Sequence, residues 1–144
     1  MTDTEKILRV MGGEKKVGSR PRNGLEFISA IRAGLNFSTI RQLADHTGIP
    51  PNRIFAAVNL SPRTMERRRK QKKLNADESQ KIARFARIVA LGDDVFEDSK
   101  IASQWLERPN RALGGIKPIE LLDTEEGARE VESVLRRLEY GVYS

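Results

Sequence analysis

The chain has 144 residues, 38% hydrophobic and 32% charged, and carries a formal net charge of +6. That length suits one ordinary domain or two small ones. With no cysteine and a single histidine, His46, it excludes disulfides, thiolate metal sites, a cysteine nucleophile and a two-histidine metal site, and leaves a serine–histidine triad only that one residue to rest on.

Neither a run of eighteen apolar residues nor a signal-peptide pattern is present, so the expectation is a soluble, cytoplasmic protein with no membrane partner. No acid–base or nucleophile pair can be assembled, which points away from an enzyme and from any cofactor or metal. Charge is unevenly spread. Residues 1–92 hold 19 Lys and Arg against 8 Asp and Glu, a net of +11, whereas residues 93–144 hold 7 against 12, a net of −5. Such asymmetry suggests a basic part facing a polyanion and an acidic part facing something else.

Residues 1–22, with paired glycines, a proline and six basic residues, read as a flexible basic arm; within it Ile7, Leu8, Val10 and Met11 form one short apolar turn able to dock. From Gly24 the pattern is helical. Leu25, Ile28, Ile31 and Leu35 predict one buried face. Ser38 is placed to cap a second helix with Ile40, Leu43 and Ala44 inward, stopped by Gly48. Pro50 and Pro51 suit the first turn of a third helix, with Ile54, Phe55 and Val58 inward. Ser61-Pro62 opens a fourth, through about Lys72. Asn75 and Asp77 precede a fifth, with Ile82, Phe85, Ile88 or Val89 and Leu91 inward, ending at Gly92. Gly92-Asp93-Asp94 is the predicted boundary, giving a basic N-terminal arm over 1–22, a basic helical domain over 23–92 and a second unit over 93–144.

Beyond that boundary, Val95, Phe96, Ile101, Ala102, Trp105 and Leu106 predict a helix that Pro109 ends, with Trp105 in the core of the second unit. A glycine–proline loop follows, then a short turn at Pro118–Leu122. Asp123 or Thr124 caps a last helix whose stripe is Ala128, Val131, Val134, Leu135 and Leu138. No sustained alternation or hairpin signal appears. The predicted fold class is all-α. Asp93-Asp94, the nearest approach to a carboxylate pair, reads as capping and solvation, and His46 as a surface or boundary residue.

The stretch NLSPRTMERRRKQKKLNADES puts Arg63, Arg67, Arg68, Arg69, Lys70, Lys72 and Lys73 within eleven residues. A helix-turn-helix reader needs a first helix across the backbone, a tight turn and a second helix whose N-terminal residues reach base edges. Ile54–Val58 supply the first helix and Asn59 the turn, since asparagine tolerates left-handed backbone. Ser61, Arg63, Thr64 and Arg67 or Arg68 then face the groove, leaving the other cations to neutralise phosphates. Phe55 stands where such motifs usually hold a small residue. A second register also fits: Ala44, Gly48 and a reading helix near residues 51–58 carrying Asn52 and Arg53. The cations lack the broad apolar face that a membrane-surface helix requires.

Trp105-Leu106, Pro109-Asn110, Ala112-Leu113-Gly114-Gly115, Pro118 and Leu121-Leu122-Asp123-Thr124, followed by Gly127, Val131, Leu135, Tyr140-Gly141 and Val142-Tyr143, together resemble the toxin-binding domain of the Xre/MbcA/ParS antitoxin family. The segment LSPRTMERRRKQKKLNADESQKIARFARI is similar to the helix-turn-helix domain that precedes it in Xre members. The resemblance spans roughly residues 25–144. It implies a Cro/Xre-like helix-turn-helix domain followed by a small helical toxin-binding domain.

It also implies a type II antitoxin that occludes the active site of a RES-domain, NAD+-degrading toxin. The same family resemblance implies binding to double-stranded operator DNA for autoregulation, a homodimer, and a higher-order complex with toxin. The implied toxin-binding residues are Arg111, Leu113, Gly114, Gly115, Tyr140, Gly141, Val142, Tyr143 and Ser144. Independently of the resemblance, Gly141 can end the last helix in a left-handed cap, and tyrosines give large contact area at low entropic cost. The terminal YGVYS therefore reads either as an anchor for a partner or as a tail packed on its own domain. A stand-alone regulator whose C-terminal unit only dimerises is the alternative function.

Overall fold

The structure, a computed structural model, describes residues 2–13, 21 and 23–141. Among them lie eight α-helices, two 3-10 turns and no strand, only two isolated bridges. The order is α1 (Asp3–Val10), α2 (Gly24–Ala33), α3 (Ser38–Thr47), α4 (Pro51–Ala57), α5 (Pro62–Gln71), α6 (Ala76–Phe96), α7 (Ser99–Leu106), the 3-10 turns Arg111–Leu113 and Pro118–Leu121, and α8 (Glu125–Glu139). The all-α expectation holds.

Most helices start where a short polar side chain can accept an orphan N–H. Asn23, Ser61, Asn75, Asp98 and Thr124 all do so. Asn75 and Glu78 complete a reciprocal capping box at the start of α6. At α3 the expected cap moves: Phe37 is the capping residue and makes no side-chain bond, while Ser38 is already helical. Gly48 ends α3 in the left-handed region, as its sequence position predicts.

Three expectations are overturned. The first is the flexibility of the arm at residues 3–10, which form α1, while the docking that its apolar turn allows is realised. A Thr2–Glu5 capping box opens that helix, and Leu8, Val10 and Met11 are buried in the common core against α6. The apolar turn is long enough, once capped, to bury a face. Residues 14–20 and 22 of the arm lie outside the described residues.

The second is the helix end predicted at Gly92, which falls inside α6, a 21-residue helix that runs on to Phe96. Gly92 is buried, and a Cβ there would stand 3.3 Å from the Ala102 Cβ, so its small size serves packing against α7 rather than chain termination. The break comes at Glu97 (φ 55°), and Asp98 caps α7 through Lys100 and Ile101 N–H. Val95 and Phe96 therefore end α6 and do not begin the next helix. Asp93 and Asp94 are not caps: Asp93 Oδ2 lies 2.6 Å from His46 Nε2, and Asp94 takes Lys6 Nζ at 2.5 Å.

The third is the buried face of α2. Phe27 and Ala30 are buried, while Leu25 and Ile28 are 78% and 45% exposed. Residues 25 and 28 occupy the side of the helix away from 27, 30 and 31; the latter set is buried or partly buried in the core, and α2 packs on α6.

One continuous core runs through both halves of the chain. It passes from Met11, Ile40, Leu43 and Phe55 through Phe85 and Ile88 to Leu106, Leu122, Val131 and Leu135. The long α6 is its spine, packed against α1, α2, α7 and α8. Arg84 donates to the carbonyls of Leu122 (3.2 Å) and Asp123 (3.1 Å), and Arg87 pairs with Glu125 at 2.9 Å, clamping the N-terminus of α8 to α6. Trp105 is half-buried at the core's edge, 5.7 Å between ring centroids from Phe96.

Candidate functional site

Between α4 and α5 the chain makes the tight reversal that the sequence suggests. Asn59 takes φ 62°, Leu60 N–H donates to the Phe55 carbonyl at 2.9 Å, and Ser61 Oγ accepts Thr64 N–H at 3.1 Å. Pro62 sits in the first turn of α5, where its missing N–H costs nothing. Phe55, large where a small residue is usual, is buried and meets Phe37 edge-on at 6.2 Å between centroids. The α2–α3 connection carrying Phe37 accommodates it.

No residue of α5 is buried. Arg63, Arg67 and Lys70 recur at i, i+4 and i+7 on one exposed face, with Glu66 and Gln71 beside them. Arg69 lies to one side, 3.5 Å from Glu66. Lys72 ends the helix at φ 63°, and Lys72 and Lys73 are exposed where the chain bridges back to Asn36. Ser61 and Thr64 stand at the helix N-terminus, joined hydroxyl to hydroxyl at 3.0 Å.

Arg68 departs from this group. It points inward, its side chain only 17% exposed, with Nε donating to Glu78 at 2.7 Å and Nη1 to Gln71 at 2.7 Å. Helical geometry explains the difference, because position 68 lies on the flank that faces the start of α6. In the second register Asn52 and Arg53 are exposed on α4, but Arg53 is ion-paired with Glu107 of the C-terminal half. Arg53 and Asn59 also line a cleft of about 340 Å³ shared with Lys117, Ile119 and Asp123. That face of α4 is turned toward the second half of the molecule.

The other candidate surface is the connection from α7 to α8. Asn110 organises it. Its Oδ1 accepts Ala112 N–H at 2.9 Å, its carbonyl accepts from Leu113 (3.0 Å) and Gly115 (2.8 Å), and its own N–H donates to Ile116 O at 3.1 Å. Arg111, Gly114 and Gly115 are exposed on the resulting finger. Leu113 is not presented: it is buried in the core and anchors the finger, so its place is structural.

Ile116 and Ile101, 41% and 49% exposed, are surface apolar groups on this half that no motif singles out. An isoleucine straight after Gly-Gly is the sequence signal for the first. At the end of α8, Tyr140 is 75% exposed and Gly141 takes φ 71°, the left-handed cap its sequence predicts. Tyr140 therefore does not pack on its own domain. Val142, Tyr143 and Ser144 lie outside the described residues.

Comparison with known proteins divides the chain in the same way. Residues 26–87 match the model of the antitoxin Xre-like helix-turn-helix domain, and residues 91–141 match the antitoxin Xre/MbcA/ParS C-terminal toxin-binding domain. The chain is 33% identical over 132 residues to an Antitoxin Xre of Photorhabdus laumondii subsp. laumondii, covering 90% of this chain and 89% of that one. An Antitoxin Xre of Yersinia enterocolitica matches with the same identity and coverage. A Prs ADP-ribosylating antitoxin of Sphingobium sp. is 28% identical over 127 residues, 81% of this chain and 80% of the relative. With both domain models matched in order along the chain and relatives that align along nearly its whole length, the chain belongs to the Xre family of antitoxins.

Proposed function

We propose that this antitoxin binds operator DNA through α5 and inhibits a RES-domain, NAD+-degrading toxin through its C-terminal half. The observation that carries the DNA half is the outward stripe Arg63, Arg67 and Lys70 on a helix that has no fully buried residue and follows a tight turn at Asn59. Ser61, Arg63, Thr64 and Arg67, on the N-terminal part of α5, are the residues to meet bases and nearby phosphates. Arg69, Lys70, Lys72 and Lys73 neutralise backbone charge. The α4 register is disfavoured, because Arg53 is engaged with Glu107.

On the toxin side, the exposed Arg111, Gly114, Gly115, Ile116, Tyr140 and Gly141 are the residues to meet the toxin, and the family resemblance adds Val142, Tyr143 and Ser144, which lie outside the described residues. The reading is that this surface covers the toxin's NAD+ site. The Sphingobium relative's name refers to ADP-ribosylation, a chemistry that consumes NAD+, which supports a partner of that substrate class. The exposed Leu25 and Ile28 on α2 offer an apolar strip for a homodimer, which would present two copies of α5 to two half-sites and gather toxin into a higher-order complex.

Co-expression with the product of the adjacent reading frame tests the toxin half. Growth, cellular NAD+ and co-purification are followed for the full chain and for a version stopped after Glu139. The expected result is rescue of growth and NAD+ by the full chain and loss of rescue by the shorter one, with both folded by circular dichroism. If NAD+ never falls when the neighbouring product is expressed alone, the assigned toxin chemistry is wrong. If the full chain neither binds nor rescues, the protein acts as a DNA-binding regulator alone.

A further inference from the structure

A helix in a small all-α protein is usually held by an apolar face, yet α5 buries no residue. Only Leu60 and Met65, both partly buried, touch the core from this region. Its C-terminal end is tied by backbone bonds: Phe37 N–H donates to the Lys72 carbonyl at 3.1 Å, and Leu74 N–H to the Leu35 carbonyl at 2.9 Å. Between that strap and the turn at Asn59, the tie from the middle of the helix is Arg68. Its Nε donates to Glu78 Oε1 at 2.7 Å and its Nη1 to Gln71 Oε1 at 2.7 Å. The same Glu78 oxygen accepts Asn75 N–H at 2.9 Å, and Glu78 N–H donates back to Asn75 Oδ1 at 2.8 Å. Glu78 is 4% exposed. One buried carboxylate oxygen thus joins the cap of the long α6 to the centre of α5.

We propose that Arg68 is a positioning residue: with Glu78 it fixes the angle at which α5 presents Arg63, Arg67 and Lys70, and it does not itself contact the duplex. The inference rests on the reading of α5 as the DNA-facing helix. A guanidinium suits the task because its planar fork fixes direction along two hydrogen bonds, which an ammonium cannot do. Burial enforces it, since swinging Arg68 out to a phosphate would strand Glu78 without its cation.

Electrostatics alone and positioning predict opposite signs for Glu78→Gln. The substitution removes a negative charge beside a basic helix and loosens the hold on Arg68, because a neutral amide oxygen is a weaker acceptor for a guanidinium, so a contact role for Arg68 would make binding tighter and its salt dependence steeper. A positioning role makes binding weaker despite the added net positive charge. Arg68→Lys keeps the charge, loses the fork and leaves the α6 capping box intact. It therefore serves as the second variant if Glu78→Gln melts too low.

The measurement is the affinity of the full chain for a duplex spanning its own upstream region and for a shuffled duplex of equal composition. It is repeated across a salt series, at a temperature where thermal melts show each variant folded. The expected result is that Glu78→Gln and Arg68→Lys each weaken binding to the upstream duplex by roughly 3- to 30-fold and narrow its advantage over the shuffled one. The slope of log affinity against log salt stays at the wild-type value, while Arg67→Gln flattens that slope by about one phosphate contact. Equal or tighter binding by Glu78→Gln, or wild-type binding by Arg68→Lys, overturns the inference and leaves the α5 reading standing. If the wild-type chain shows no salt-dependent binding to either duplex, the α5 reading itself falls and takes the inference with it.

Discussion

Two glycines and one lysine carry consequences out of proportion to their size. Gly34 takes φ 98°, and a Cβ there would overlap the Leu74 carbonyl oxygen in the strap that ends α5. Gly34→Ala therefore combines an unfavourable backbone region with a steric clash, and a loss on the order of 2 kcal/mol or more is expected in urea unfolding. Gly127 meets the Leu121 carbonyl in the same manner, at the joint where the Pro118–Leu121 turn rests on α8. Lys6 acts through charge. The hydrogen bond and the charge of Asp94 raise its pKa above the ordinary 10.5. Because the folded value is the higher one, the pair's contribution to stability is complete below about pH 10.5 and fades as the pH rises through the folded value. Thermal melts of the wild type and of Lys6→Met should differ by a constant gap up to that pH and converge above it. A gap that persists at higher pH would show that Lys6 contributes by packing alone.

At the scale of the element, α5 lacks an apolar face and depends on its ends. Its mean composition is highly polar, so intrinsic propensity and caps matter more than they do for α6 or α8. Removing the Ser61 side-chain cap by Ser61→Ala should cost about 1 kcal/mol, within the usual range for such caps. The loss should fall first on α5, seen as faster amide exchange there with little change in α6. If exchange accelerates equally in both helices, α5 is not a separately opening unit. The finger 110–116 shows the opposite design. It is held by four hydrogen bonds to Asn110 and anchored by buried Leu113, so the positions of exposed Arg111 and Ile116 are set by the fold itself.

For the whole molecule, the described residues of the basic and acidic parts of the sequence meet in one packed body, with Lys6–Asp94, Arg53–Glu107 and Arg87–Glu125 paired between them. Since α6 crosses between them and a single core joins them, heat should unfold the described body in one transition, with calorimetric and van't Hoff enthalpies equal. A fragment ending at Gly92 would lose the α7 and α8 that pack on α6, and it should melt without cooperativity. A sharp transition for that fragment would restore two independent domains. Salt is the other whole-molecule test. If five phosphates are neutralised, affinity for DNA should fall on the order of a few hundred-fold between about 50 and 200 mM salt. Unchanged affinity over that range would remove the DNA-binding proposal.

Periodicity and caps in the sequence determined the helical class, the turn at Asn59, the Ser61-Pro62 start of α5 and the stripe of α8. Each of these is decided by residues within one turn of each other. The specific run from Trp105 to Gly141 likewise made the family legible. What the tertiary structure decided was every choice between equivalent local options. Phe27 and Ala30 face inward in place of Leu25 and Ile28, because α6 lies on their side. The helix runs through Gly92, whose missing Cβ leaves room for Ala102 of α7. Arg68 leaves the row of apparent DNA contacts, because Glu78, ten residues on, comes within 2.7 Å. A charge run in sequence shows how many cations a helix carries, but only the neighbouring elements determine which of them remain free to meet a ligand.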